Sequence, residues 1–367
     1  MNKILKCCSI LCIFLILGCI GTEEKIRETV IIEEEGTNSG TFILPTENGF
    51  IIFGANFLKK EIEPNLLKID KDYNIRWSKN HIVEEEHYVP RDFLETGDGY
   101  LLSGCVQSLA EKSSKIMVLE TDKEGNEYWR RSYTGLGYSM HGSVLSADNG
   151  FLIVGLTYAS PGSKTSTLLV KTDRKGNKEW QKVYGEKQTG AAICKAENGY
   201  LIAGMSRAND DGDLLLIKVT ESGEEIWSKT YRKVAVEWPC SVFSFDDGFV
   251  VAGYSSRHGG DFLLMKVDKE GNELWSKRYD NEDEVPGDAI KTEDGFVIVG
   301  NTFSDIQAEK DIFIIKVDKE GNEQWRKIYG DEKNQVANSL CRVSGSIFVV
   351  GTTATKDEGD VLLIKIE

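Results

Sequence analysis

The chain has 367 residues, 40% apolar and 28% charged, a globular balance that argues against a mainly disordered protein. Its 59 acids against 44 bases give a formal charge of −15, which argues against a non-specific nucleic-acid binder because no broad basic surface can neutralise phosphates. Glycines number 36 and prolines only six, so turns are to be sought at glycine.

The first segment in chain order is a targeting signal. Lys3 and Lys6 open it, the apolar run Cys7 to Leu17 follows, and Gly18-Cys19 closes it ahead of Glu23-Glu24. The run falls short of the ~20 residues that cross a bilayer and has the size of a signal-peptide core. Ile16-Leu17-Gly18-Cys19 resembles the lipobox of prokaryotic lipoproteins. The resemblance implies a diacylglyceryl group on the Cys19 sulfur and cleavage just before it; an ordinary secretory signal or an uncleaved anchor is the plainer alternative. Loss of residues 1–18 removes Lys3 and Lys6 and no acid, leaving a charge of −17. The implied order is a signal peptide over 1–18, a lipidated polar tether over 19–27 and a folded body over 28–367. That body is held by lipid on the outer side of the cytoplasmic membrane.

The body is one unit written seven times. A glycine ends an apolar run at Gly54, Gly104, Gly155, Gly204, Gly253, Gly300 and Gly351, at spacings of 47 to 51. Tryptophan recurs at Trp77, Trp129, Trp180, Trp227, Trp275 and Trp325 with a similar period. Each unit contains four short strand candidates. The first ends in an Asn-Gly or Asp-Gly turn, the second and third are nearly continuous apolar runs, and a turn such as Asp268-Lys269-Glu270-Gly271-Asn272 leads into the fourth. Continuous apolar runs imply burial on both faces, and a period near 50 suits propeller blades. The seventh unit stops after its third strand, whereas residues 28–33 form an orphan strand ahead of the first unit. The expected fold is therefore an all-β, seven-bladed β-propeller with four antiparallel strands per blade, the N-terminal strand completing the C-terminal blade.

The Asp268/Gly271/Trp275 spacing, repeated at Asp173/Gly176/Trp180 and Asp318/Gly321/Trp325, is similar to the tryptophan-docking repeat of quinoprotein-like propellers, one residue shorter in the turn. The longer string through Lys-Val-Asp-x-x-Gly-Asn-x-x-Trp-x-Lys-x-Tyr resembles repeats of uncharacterised prokaryotic secreted proteins and lipoproteins. The likeness covers roughly residues 28–367. It implies a quinoprotein-like propeller, but no quinone or calcium ligand of that family maps onto this chain, and its quinone-dependent dehydrogenases have eight blades.

Alternating strand direction puts the two uniform hairpin turns of every unit on one face and the two variable loops on the other, where binding sites of rigid scaffolds gather. His81, His87 and His141 fall in loops between blades and His258 in a loop within blade five; with Arg91 and Arg257 they are candidates for the ligand face. Their wide spacing favours solvated loop histidines over a metal site. Trp238 lies outside the tryptophan register, in a loop beside Pro239, and suits either a stacking platform or packing over the end of blade five. Asn209-Asp210-Asp211-Gly212-Asp213 lacks the ligand alternation of a calcium loop, and Asp213 matches Asp261, Asp311 and Asp360 of other units, which favours structure. Cys105, Cys194, Cys240 and Cys341 are expected as buried free thiols.

No phosphate loop, nucleophile elbow or paired-cysteine metal motif occurs, so no catalytic residue, cofactor or metal is assigned. The leading expectation is a non-catalytic, monomeric, membrane-tethered module that binds a protein or glycan through its variable-loop face. A quinoprotein-like dehydrogenase or a polysaccharide hydrolase or lyase is one alternative, and an envelope-assembly factor another.

Overall fold

A computed structural model describes residues 26–33, 37–58, 61–83, 87–108, 113–208, 212–235, 238–255, 261–279, 285–303, 310–330, 334–354 and 359–367. These residues form 28 strands in seven four-stranded antiparallel sheets arranged as a ring, the β-propeller expected from the repeats. Blade five illustrates the unit. Its strands are Trp238–Phe245 on the inside, then Gly248–Ser255, Asp261–Asp268 and, on the outside, Glu273–Tyr279.

The cores lie between blades. In blade four, Leu201, Ala203, Leu214 and Leu216 pack against blade five, whereas Ile202, Leu215 and Ile217 pack against blade three. The period-2 geometry of a strand sends neighbours to opposite faces, and because both faces meet another sheet, both must be apolar. Each of these leucines and isoleucines contributes about 1.5–3 kcal/mol by leaving water.

The repeated turn and the repeated tryptophan explain one another. Asp173 accepts the backbone N–H groups of Lys175 and Asn177 at 2.8 Å each on Oδ1, and the Asn177 amide at 2.9 Å on Oδ2. Gly176 follows at φ +71°, where a Cβ would also lie 2.4 Å from the Trp129 ring of the preceding blade. The glycine thus serves both a left-handed backbone and a docked indole. Four residues after the tryptophan, a tyrosine hydroxyl donates to the same glycine's carbonyl: Tyr133 to Gly176 at 2.6 Å, Tyr184 to Gly223 at 2.8 Å, Tyr231 to Gly271 and Tyr279 to Gly321 at 2.7 Å.

Blade seven is built from both ends of the chain. Asn334–Val343, Ser346–Ala354 and Gly359–Ile366 are closed by Ile26–Ile32, with Val30 opposite Leu363 and Ile32 opposite Val361. The closing strand starts two residues ahead of the expected position 28. It also carries a substitution in the docking pair. Third-strand lysines 68, 266 and 316 face Trp77, Trp275 and Trp325, but Lys365 faces Glu28. Opposite this missing indole, the turn of blade one replaces glycine by Tyr73 at φ +64°. Tyr73 packs on the core between blades seven and one, and burial together with its hydrogen bond to Glu28 raises the phenol pKa. The aromatic group that fills the blade junction therefore comes from the turn rather than from the closing strand.

Candidate functional site

Each inner strand carries a β-bulge at the same place. The bulged residues are Thr41, Arg91, Gly142, Ala191, Cys240, Gly287 and Asn338 in blades one to seven. Across the ladder from the residue before each bulge stands the repeated glycine, as in Gly40 opposite Gly54 and Gly190 opposite Gly204. A Cβ on Gly54 would lie 1.7 Å from the Ser39 carbonyl oxygen, and one on Gly204 would lie 1.8 Å from that of Thr189. Close backbone approach, not a left-handed φ, is what demands glycine here. The seven bulges line a central cavity of about 640 Å³.

The bulged residue stands 13 positions ahead of its glycine in every blade, so the ring was present in the chain as a fixed offset. The spacing of glycines alone marked blades; only the pairing register shows that it also marks the channel wall.

Two acids directly after a bulge tie blades together. Asp92 Oδ2 accepts Ser143 Oγ at 2.6 Å and Val144 N at 2.7 Å from blade three, and its Oδ1 accepts Phe93 N at 2.7 Å. Asp288 Oδ1 accepts Ser241 Oγ of blade five at 3.0 Å and Ala289 N at 2.7 Å, while Oδ2 accepts Ser339 Oγ of blade seven at 2.9 Å. Burial pushes the Asp92 carboxyl up to about 6 and the Asp288 carboxyl in the same direction, against the lowering effect of these donors. Cys240 is half-buried in the cavity wall, and Cys105, Cys194 and Cys341 are buried; none of the four is in a disulfide, as expected. Burial pushes the Cys194, Cys240 and Cys341 thiols up to about 12, which keeps them protonated and poor nucleophiles.

The Asp92 shift sets a pH dependence. A carboxyl whose folded pKa is raised favours folding fully below its unfolded value of about 4, and that contribution is lost as pH rises through about 6. The difference amounts to about 3 kcal/mol. Asp92→Asn carries no such proton, so its unfolding midpoint relative to wild type is expected to rise by about 4 °C between pH 4 and pH 7. Calorimetry at the two pH values checks this, and a pH-independent difference would count against a buried, strained carboxylate.

The ligand-face candidates part company. Arg91 lies in the channel wall, and its Nε is buried without a hydrogen-bond partner. His87 and Trp238 are the first residues of their inner strands, and His141 immediately precedes the blade-three bulge. Trp238 was expected in a loop; it pairs instead with Tyr254, which lines the cavity. His81 stands four residues after Trp77, at the docking tyrosine's place in the other blades. It is 7% exposed, with Nδ1 3.7 Å from Glu127 Oε2 of the next blade, and burial lowers its pKa. His81 is a packing residue between blades one and two and does not line the channel. Arg257, His258, Cys19 and Asn209 to Asp211 lie outside the described residues, and among the described residues no group of three or more His, Cys, Asp or Glu is placed to hold a metal.

No protein-family model matches the chain, and no curated protein matches it in sequence. Among solved structures it is similar to Trypanosoma rangeli sialidase in complex with 2,3-difluorosialic acid, at a TM-score of 0.51 and 9% identity over 92% of this chain and 55% of that one. It is also similar to a quinohemoprotein alcohol dehydrogenase from Pseudomonas putida HK5, at a TM-score of 0.50 and 11% identity over 87% of this chain and 66% of that one. The chain thus spans just over half of the first protein and just under two thirds of the second. At these identities the likeness is one of fold alone, the β-propeller that the repeats led to.

Proposed function

We propose that this chain is a lipid-anchored, extracytoplasmic propeller that binds a protein or glycan through its variable-loop face. The observation that carries the reading is the sorting of the two faces. Turns on the hairpin face repeat one design, whereas the loop face presents a different set of side chains at each blade. Blade three offers a stacked pair there, Tyr138 and Tyr158, with ring centroids 5.0 Å apart and planes 5° apart, beside Leu136, which is 54% exposed. Flat aromatic surface with an apolar neighbour suits a sugar ring or a protein anchor.

The direction of the closing strand supports the anchored arrangement. Ile26 pairs with Ile366, which in turn pairs with Ile347 beside the blade-seven hairpin. A tether running from Cys19 would therefore reach the ring on the hairpin side and leave the loop face turned away from the membrane. The occupied oxygens of Asp92 and Asp288 also favour a binding role over acid-base chemistry.

Crosslinking and pull-down test the face assignment. Trp238→Ala and Tyr158→Ala are expected to weaken partner capture at least tenfold, and Lys123→Glu with Lys175→Glu on the hairpin turns to leave it unchanged. The opposite pattern would reject the reading. Cys19→Ala is expected to abolish fatty-acid labelling and to move the protein out of the membrane fraction; retention there with labelling intact would reject the anchor.

A further inference from the structure

The inner strand of every blade pairs along one edge only and turns its other edge to the channel. Which backbone groups face inward follows from the hairpin. Thr96 N donates to Gly99 O at 2.9 Å in blade two, and Thr292 N to Gly295 O at 2.8 Å in blade six. Opposed residues of an antiparallel ladder alternate between bonded and non-bonded pairs. Three positions back from these bonded pairs stand Phe93, opposite Leu102, and Ala289, opposite Ile298. Both are non-bonded pairs, so the N–H and C=O of Phe93 and Ala289 point away from the sheet, toward the channel. Asp92 and Asp288 agree with that direction, since each accepts the N–H of the residue after it at 2.7 Å.

The two aspartates cap blades in pairs. Asp92 takes Phe93 N of blade two and Val144 N of blade three. Asp288 takes Ala289 N of blade six and engages Leu340 N of blade seven. The pair between them, blades four and five, has Ala192 in the aspartate's place: it follows the bulge and stands opposite Ala203, as Asp92 stands opposite Ser103. A methyl group accepts no hydrogen bond. Ile193, opposite Ile202, and Val242, opposite Val251, hold the register of Phe93, and both line the cavity. Their side chains pack between blades, so it is their backbone that meets the channel. The Ser241 hydroxyl beside Val242 is already given to Asp288. Two adjacent inner edges therefore each present an uncapped N–H next to an uncapped C=O.

We infer that the central channel binds a small neutral ring with cis-amide edges, of the pyrimidinedione kind, on the backbone of Ile193 and Val242. A cis amide carries an acceptor and a donor side by side, and one strand residue offers the matching donor and acceptor, so each edge makes two hydrogen bonds. A carboxylate would satisfy only the N–H groups and would add a third negative charge to a wall that holds Asp92 and Asp288. The cavity of about 640 Å³ is of the size that takes small molecules. The inference does not depend on the loop-face reading, since the channel can fill whether or not a partner docks above it.

The test is calorimetric titration of the full chain in detergent with uracil, against sodium benzoate and against 1,3-dimethyluracil, which keeps both carbonyls and has no N–H. Uracil is expected to bind, with the other two at least tenfold weaker. Ala192→Asp supplies the acceptor that blades two and six carry and is expected to weaken uracil binding at least tenfold. Ala192→Ser, the residue of blades three, five and seven at this place, is expected to stay within threefold of wild type, and the unfolding midpoint of each variant shows whether it folds. Residue-resolved hydrogen exchange reads the site without substitution: uracil is expected to slow the Ile193 and Val242 amides at least threefold and to leave those of Phe93 and Ala289 unchanged. No uracil heat in wild type, 1,3-dimethyluracil or benzoate as tight as uracil, unchanged binding in folded Ala192→Asp, or no protection of Ile193 and Val242 would overturn the inference.

Discussion

Removal of residues 26–33 is expected to lower the unfolding midpoint by about 10 °C or more and to make the protein aggregate on heating. Val30 and Ile32 are 7% and 4% exposed in the ring, and each leaves water with a gain of about 2 kcal/mol. The strand also covers one side of Gly359–Ile366, pairing with it from Ile26 to Ile32. Without it, the backbone groups of that strand become a free edge, open to pairing with another chain. Lost burial, lost ladder hydrogen bonds and the emptied seat of Tyr73 together cost roughly 8 kcal/mol. For a body of this size one kcal/mol moves the midpoint by about 1.4 °C. Differential scanning calorimetry with light scattering checks the outcome, and an unchanged midpoint without scattering would mean that the ring does not depend on this closure.

Gly204→Ala is expected to cost about 3–5 kcal/mol, whereas Gly97→Ala stays within about 0.5 kcal/mol of wild type. The two substitutions add the same methyl group to a hairpin-connected sheet, and only the surroundings differ. At Gly204 the new Cβ would lie 1.8 Å from the Thr189 carbonyl oxygen, a backbone atom that cannot swing aside. Relief requires the inner strand to move and the Ala191 bulge to flatten, which would also reshape the channel wall. At Gly97 a Cβ meets nothing within 4 Å. Urea unfolding of the two variants measures the contrast. Equal costs would show that the blade glycine answers to something other than the bulge.

The residues differ in how openly they announced their roles. Trp129, Gly176 and Tyr133 recur in register, and any group repeated once per blade in a ring must serve a contact that is also repeated once per blade. Their structural role was therefore readable without coordinates. Tyr73 and Glu28 were not readable as a pair, because each departs from its repeat alone and 45 positions separate them. Only closure of the ring brings the turn of blade one against the strand that lacks a tryptophan. His81 misled for a related reason. A histidine just past a strand looks like a loop residue until its offset from Trp77 is matched to the docking tyrosines.

The linear order of residues by itself determined the seven units, the four strands in each, the burial of the second and third strands on both faces and the joining of the two chain ends. All of these follow from local periodicity, since a turn or an apolar run acts on its neighbours along the chain. The tertiary structure alone decided what the channel contains. Asp92, Ala192 and Asp288 are far apart in sequence, and their standing around one cavity depends on a bulge that shifts each inner strand by one residue and on a ring that sets blades four and five between two capped pairs. Which inward backbone groups are capped and which are not is a property of that convergence, and no single repeat contains it.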